Sequence, residues 1–298
     1  MPETAGLLSP EILARLEGYR LIHHKPVGGA TGGLWRARQK GGSSEFVDYR
    51  EYAPGDEPRR VDWMAYARLR RLYVREYLDE RRDCVLFLLD ASASMGFGTP
   101  LTKEVYAAQV IGGLVACALA GQDQPVLAVT SGAGTAILRP GGRRAGLARS
   151  LRFLEATSWG GRADLDGALE AALRTAPSIR SLYLCSDLYE REALTRLLRL
   201  AAAREVETTV LHVLAPEEWV PGGEGDWALT DSETGERLEL TLTPFALAAY
   251  ARRLQEFVAA LEEECRRWGA RRVALNSGEG AQVTLFRTLP RAGVTRPQ

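Results

Sequence analysis

The stretch Cys84-Val85-Leu86-Phe87-Leu88-Leu89-Asp90-Ala91-Ser92-Ala93-Ser94 decides how the rest of the chain reads. Six apolar residues run without a polar break and stop at a carboxylate. A strand with one wet face would alternate polar and apolar; an unbroken run suits a strand buried on both faces, as in a parallel sheet. Ligands of such sheets bind at the carboxyl ends of the strands, so Asp90 stands where chemistry is expected. The Asp-x-Ser-x-Ser spacing turns one charged and two neutral oxygen side chains toward a common point as the chain leaves the sheet. Ala91 and Ala93 keep that turn small. Hard oxygen donors of this kind suit Mg²⁺ or Mn²⁺, with water completing the shell. The competing reading is local: Asp and Ser are common in turns, and the three residues would then only cap the next helix.

Working outward, the pattern alternates. Thr102 to Ala120 reads as a helix, Pro125 to Ser131 and Thr135 to Leu138 as strands around a glycine turn, and Arg143 to Thr157 as a helix. Asp164 can cap a helix reaching Thr175. Ser181 to Cys185 is a second apolar strand, and it ends at Ser186-Asp187, which places Asp187 at the same sheet edge as Asp90. Glu190 to Arg204 reads as helix and Glu207 to Leu214 as strand. Such alternation is the signature of a mostly parallel sheet with helices on both faces. Asp226 to Thr241 reads as a hairpin turning near residues 231–235, Thr243-Pro244 starts a long helix to about Trp268, and Arg271 to Leu275 is a last strand. From Pro290 the tail is expected to fray.

Before the core, Ser9-Pro10-Glu11 opens a short helix with Ser9 as N-cap. Residues 26–42 are glycine-rich and lack the Lys-Ser/Thr ending of a phosphate loop. Residues 45–82 are dense in charge and aromatics around a Pro54-Gly55-Asp56 turn. There Arg50, Arg59, Arg60 and Arg68 can pair with nearby acids such as Asp56 and Asp62, and Tyr52, Trp63 and Tyr66 offer flat surfaces to guanidinium groups. The expected organisation is an N-terminal extension (1–82), a core (83–215) and a C-terminal hairpin, helix and strand completing it (216–298).

Composition narrows the function classes. Lys+Arg and Asp+Glu both number 38, so the basic excess of a nucleic-acid binder is missing. Cys84, Cys117, Cys185 and Cys265 are scattered without a Cys-x-x-Cys pair and read as reduced, buried thiols. The N-terminus has no basic start followed by an apolar core, and no apolar run reaches ~18 residues. A cytoplasmic protein without membrane insertion is expected.

Two resemblances follow from these residues. Asp90-x-Ser92-x-Ser94 after one apolar strand and Asp187 after another resemble the metal-ion-dependent adhesion site of von Willebrand factor A domains. That family also carries a Thr in a Gly-x-Thr-Asp-Leu loop. Here the matching stretch is Gly161-Arg162-Ala163-Asp164-Leu165, so Ala163 replaces the hydroxyl ligand, with Asp164 as an uncertain substitute. The elements Arg50-Glu51-Tyr52, Pro54-Gly55-Asp56, Arg59-Arg60-Val61-Asp62-Trp63, Ala67-Arg68 and Leu72-Tyr73-Val74, ahead of Asp90 to Met95, resemble the bacterial domain-of-unknown-function 58 family.

The resemblances imply a von Willebrand factor A-like fold and a metal site of Asp90, Ser92, Ser94 and Asp187 holding Mg²⁺ or Mn²⁺ weakly, if at all. They also imply a non-enzymatic adaptor partnered with a MoxR-type AAA+ ATPase, near whose genes family members are encoded. Arg50, Tyr52, Asp56, Arg59, Arg60, Asp62, Trp63 and Arg68 are the partner-binding candidates. Two alternatives stand. One is an interaction protein with a non-functional metal site, for which Ala163 speaks. The other is a haloacid-dehalogenase-like phosphatase, for which Asp90 would be nucleophile; Ser92 lacks the acid–base carboxylate that such chemistry needs.

Overall fold

A computed structural model describes residues 6–23, 46–52, 61–77, 84–223, 225–233 and 235–298. In chain order the elements begin with α1 (Pro10–Leu16), β1 (Tyr19–Leu21), β2 (Phe46–Glu51), α2 (Trp63–Leu69), β3 (Tyr73–Tyr77), β4 (Cys84–Asp90) and α3 (Lys103–Ala120). There follow β5 (Gln124–Ser131), β6 (Gly134–Leu138), α4 (Arg143–Glu155), α5 (Leu165–Thr175), β7 (Ile179–Ser186), α6 (Arg191–Ala203), β8 (Glu207–Leu214) and α7 (Pro216–Trp219). The chain ends with β9 (Gly225–Thr230), β10 (Arg237–Leu242), α8 (Pro244–Arg267), β11 (Arg271–Asn276) and β12 (Thr295–Pro297).

The chain divides into two compact units: Met1–His24 with Asp83–Gln298, and Lys25–Arg82. The first expectation corrected is therefore the 1–82 extension. Leu8, Leu16 and Leu21 are buried in the main core, so the first helix and strand belong with it and not with the charged block.

In the larger unit a six-stranded sheet has the order β11-β8-β7-β4-β5-β6. Its strands pair in parallel, except β6, which returns antiparallel beside β5. Numbered by their sequence within the sheet, the strands lie 3-2-1-4-5-6. The order reverses between β4 and β7, the switch point where doubly wound sheets bind ligands. This strand order is that of the von Willebrand factor A-like architecture the sequence pointed to. β4 is buried along its whole length. Val85, Phe87 and Leu89 face one apolar cluster with α1, α3 and α4, while Cys84, Leu86 and Leu88 face another with α5, α6 and α8. This two-sided burial is why the strand carries no polar alternation.

α3 runs for 18 residues, over the stretch that the sequence assigned to a helix, and by length and hydropathy it could cross a membrane. It is 78% buried here, as a core helix of the sheet's larger layer. Gly113 lets Leu285 pack against its backbone; a Cβ there would stand 2.4 Å from the leucine methyl. All four cysteines are free and buried.

The tail does not fray. Val294 and Thr295 are buried, β12 pairs antiparallel with β1, and Ile22 N donates to Val294 O at 2.9 Å. The physical cause is apolar: Leu289 and Val294 join the α3 cluster and carry the last residues to the edge of β1. β9 and β10 form the expected hairpin, exposed on both strands. Thr243 caps α8 by accepting from Ala246 N at 3.2 Å, and Pro244 takes the first helical position.

In the smaller unit β2 and β3 pair antiparallel and α2 lies between them in sequence. Asp62 Oδ1 accepts from Met64 N at 2.9 Å and Ala65 N at 3.0 Å, which starts α2. Residues 26–42 and the Pro54-Gly55-Asp56 turn lie outside the described residues.

Candidate functional site

The carboxyl ends of β4 and β7 are joined by side-chain hydrogen bonds. Asp90 Oδ1 accepts from Ser92 N at 2.9 Å, so the carboxylate itself shapes the turn that follows the strand. Ser186, the last residue of β7, donates its hydroxyl to Asp90 Oδ2 at 2.5 Å and accepts from Leu188 N at 3.0 Å. Leu188 has φ 59°, a left-handed conformation unusual for a leucine, and it turns the chain sharply just after Asp187. Ser92 Oγ and Ser94 Oγ stand 3.1 Å apart.

A third loop completes the edge. Ala93 N donates to Gly161 O, Gly160 N to Ala91 O and Gly132 N to Gly160 O, all within 2.9 Å. A Cβ on Gly132 would lie 2.8 Å from Gly161 Cα, and one on Gly161 2.7 Å from Gly132 Cα. Two glycine backbones therefore touch, and the loop they pin brings Ala163 to the edge.

The result is a small open cleft lined by Asp90, Ser92, Ser94, Ala163, Ser186, Asp187 and Tyr189, with Arg162 and Glu233 also in its lining. All four residues assigned to the metal by resemblance meet there. Asp164 does not line it. Its Oδ1 accepts from Gly167 N at 3.1 Å and caps α5, so the helix-cap reading holds for Asp164 and it does not replace the missing hydroxyl. Burial raises the Asp90 carboxyl above the usual carboxylate range, and the nearby Asp187 adds to this, against the opposing hydrogen bonds of Ser186 and Ser92.

Behind Asp187 lies a buried charge cluster centred on Lys103. Lys103, fully buried at the first position of α3, places Nζ 2.8 Å from Asp187 Oδ2 and 2.6 Å from Glu218 Oε1. Glu218 also accepts from Tyr189 OH and from Ala215 N, each at 2.6 Å. Lys103 does not line the cleft. It therefore takes one Asp187 oxygen without filling the space between Asp187 and the serines. His212 Nε2 donates to the Asp187 carbonyl at 3.1 Å, and Arg272 donates to its Nδ1 at 3.1 Å. One signal for Lys103 was in the sequence: it is the one lysine of a helix that is mostly apolar beyond Glu104.

At the mouth, Arg162 pairs with Glu233 at 3.2 Å and Glu190 at 3.6 Å. Glu233 belongs to the turn of the β9–β10 hairpin, so a carboxylate of a distant segment already stands at the cleft. Burial pushes its carboxyl up, although Arg162 opposes this.

The donor set fits a hard divalent ion that keeps much of its water. Adjacent oxygens around an octahedral ion bound at about 2.1 Å lie roughly 3 Å apart; the two serine hydroxyls, hydrogen-bonded to each other, already stand at that spacing. Both Asp90 oxygens hold hydrogen bonds yet retain acceptor capacity. Two features reduce the set: the Ala163 methyl where a hydroxyl would stand, and Lys103 on Asp187. Among the described residues no group of three His, Cys, Asp or Glu forms a metal cluster.

Of the partner-binding candidates, Asp62 is buried as the α2 cap, Trp63 is 61% exposed with Tyr66 edge-to-face against it, and Arg68 is exposed. Tyr52 is half-buried at the end of β2, and its N–H donates to Leu72 O. Arg50 lies in β2; its side chain, with Asp56, Arg59 and Arg60, falls outside the described residues.

Residues 48–257 match the family model described as "Protein of unknown function DUF58". The chain is 28% identical over 254 residues to the uncharacterized protein Rv1480 of Mycobacterium tuberculosis and to the uncharacterized protein Mb1516 of Mycobacterium bovis. The match spans 82% of this chain and 80% of each relative. Among solved structures, the conserved hypothetical protein BatB of Bacteroides thetaiotaomicron is 16% identical with a TM-score of 0.41, over 70% of this chain and 98% of that one. The SpRpn10 VWA domain is 14% identical with a TM-score of 0.39, over 68% and 93%. The strand order, not these low scores, defines the architecture.

Proposed function

The chain belongs to the DUF58 family, and from that membership we propose that it is a non-enzymatic protein-binding adaptor whose cleft at the β4–β7 switch point takes Mg²⁺ or Mn²⁺. The observation that carries this reading is the meeting of Asp90, Ser92, Ser94 and Asp187 on one cleft wall. When bound, the ion supplies an open coordination position for a carboxylate. The protein's residues orient that position: Ser186 and the Ser92 N–H fix the Asp90 carboxylate, and the glycine contact at 132 and 161 fixes the loop opposite. Glu233 at the mouth supports the cleft's ability to receive an acidic group. The partner is then a protein with an exposed Asp or Glu. Family likeness points to a MoxR-type AAA+ ATPase or its client in the cytoplasm. The phosphatase reading lacks support because Ser92 stands where such chemistry needs a second carboxylate.

The test is thermal unfolding under Mn²⁺ titration, with and without chelator. An ion that binds only the folded state adds about 2.7 kcal/mol at a hundredfold excess over Kd. The expected result is a concentration-dependent rise in Tm, absent in Asp90→Ala and larger in Ala163→Thr. Capture of the ATPase should follow the same order. A Tm that ignores Mn²⁺ and chelator alike sinks the metal reading. It would favour the second reading, an interaction domain with an inert cleft, which the Ala163 methyl supports.

A further inference from the structure

Lys103 breaks a local rule. The first turn of a helix carries partial positive charge and favours acids, yet α3 opens on a lysine. Burying an ammonium is costly unless it is paired and hydrogen-bonded. Here the pairing is complete: two carboxylates, Asp187 and Glu218, meet Nζ at 2.8 and 2.6 Å, and the Tyr189 ring lies 5.0 Å away. Methionine or leucine would suit the apolar positions of this helix but would leave Asp187 and Glu218 buried without a counter-charge, so the lysine and the two carboxylates form one unit. Rules broken at one place in a fold tend to mark function.

We propose that Lys103 is a resident counter-ion that sets the cleft's affinity for a divalent cation by holding one oxygen of Asp187 from behind. The inference rests on the metal reading above. Asp187 is shared: the residue lines the cleft, while its Oδ2 is bound to the Lys103 ammonium, which does not line it. Lys103 thereby fixes the carboxylate in place when no ion is present, and it offsets the negative charge that attracts one. Glu218 is the regulator of that offset. It draws part of the lysine's charge to itself and is held there by Tyr189 and the Ala215 N–H. Weak ion binding is then a property built in by Lys103 as well as by the missing hydroxyl at Ala163.

The test uses the full chain and Mn²⁺ alone as the probe, with free Mn²⁺ read by its electron paramagnetic resonance signal. Three proteins are compared: wild type, Lys103→Met and Glu218→Gln. Lys103→Met removes the competing cation, and Mn²⁺ should bind at least about tenfold tighter. Glu218→Gln leaves the lysine to Asp187 alone, and Mn²⁺ should bind several-fold weaker. A structural role for Lys103 would instead loosen the site and weaken binding in both variants, which overturns the proposal. If Lys103→Met does not fold, Glu218→Gln decides: affinity equal to or tighter than wild type overturns it. Equal affinities in all three proteins overturn this inference only. Absence of Mn²⁺ binding in all three overturns the metal reading together with it.

Discussion

Acidifying the solution from about pH 7.5 to about pH 5 should cost the fold about 2 kcal/mol through a single residue, His212. The ring is buried between an acceptor and a donor. The Asp187 carbonyl can only accept, so Nε2 carries the hydrogen; Arg272 can only donate, so Nδ1 is bare. A proton added to Nδ1 would face a guanidinium in a dry environment. Burial and then Arg272 accordingly hold the imidazole down at about 3, against an ordinary 6.5. Between those values the unfolded chain binds a proton that the folded chain refuses. The stability is complete above the unfolded value and is lost as pH falls toward the folded one, by up to about 1.4 kcal/mol per pH unit. Urea unfolding of wild type and His212→Gln across this range isolates the term, because the other titrating groups are common to both. Wild type should lose about 2 kcal/mol more than the variant by about pH 5, at unchanged m-value. Parallel pH profiles for the two proteins would refute the argument, since they would mean that the ring accepts its proton without unfolding.

Other outcomes follow from the same geometry. The folded Asp90 carboxyl is raised by burial, so its ionisation opposes folding and its contribution worsens as pH rises through the folded value; Asp90→Asn should raise the neutral-pH Tm in chelator while abolishing any gain from Mn²⁺. Gly161→Ala, with φ 62° and a Cβ 2.7 Å from Gly132, should cost about 1–3 kcal/mol by denaturant unfolding and weaken Mn²⁺ binding, whereas Gly222→Ala, with open space around it and outside any helix or strand, should do neither. Removing residues 293–298 should destabilise the fold by at least about 2 kcal/mol, because Val294 and the β12 ladder leave with them; an unchanged Tm would show that the C-terminal strand is dispensable.

Much of this protein was legible without coordinates. Continuous apolar runs ending in Asp90 and Ser186-Asp187 announce strands buried on both sides, because only a strand between two helix layers dispenses with alternation. Short-range signals also read correctly: Ser9, Asp164 and Thr243 cap the helices assigned to them, since a cap depends on three or four neighbouring residues and nothing else. The likeness of Gly161-Arg162-Ala163-Asp164-Leu165 to a Gly-x-Thr-Asp-Leu loop marked Ala163 as the position where the resembled family carries a hydroxyl. What sequence could not supply were partnerships across the chain. Lys103 finds Glu218 115 positions away, Arg162 meets Glu233 from the hairpin, and the tail reaches β1 from the opposite end. Such contacts carry no local spacing. Buried charges choose partners by distance in space, and only the packed sheet brings those residues within reach of one another.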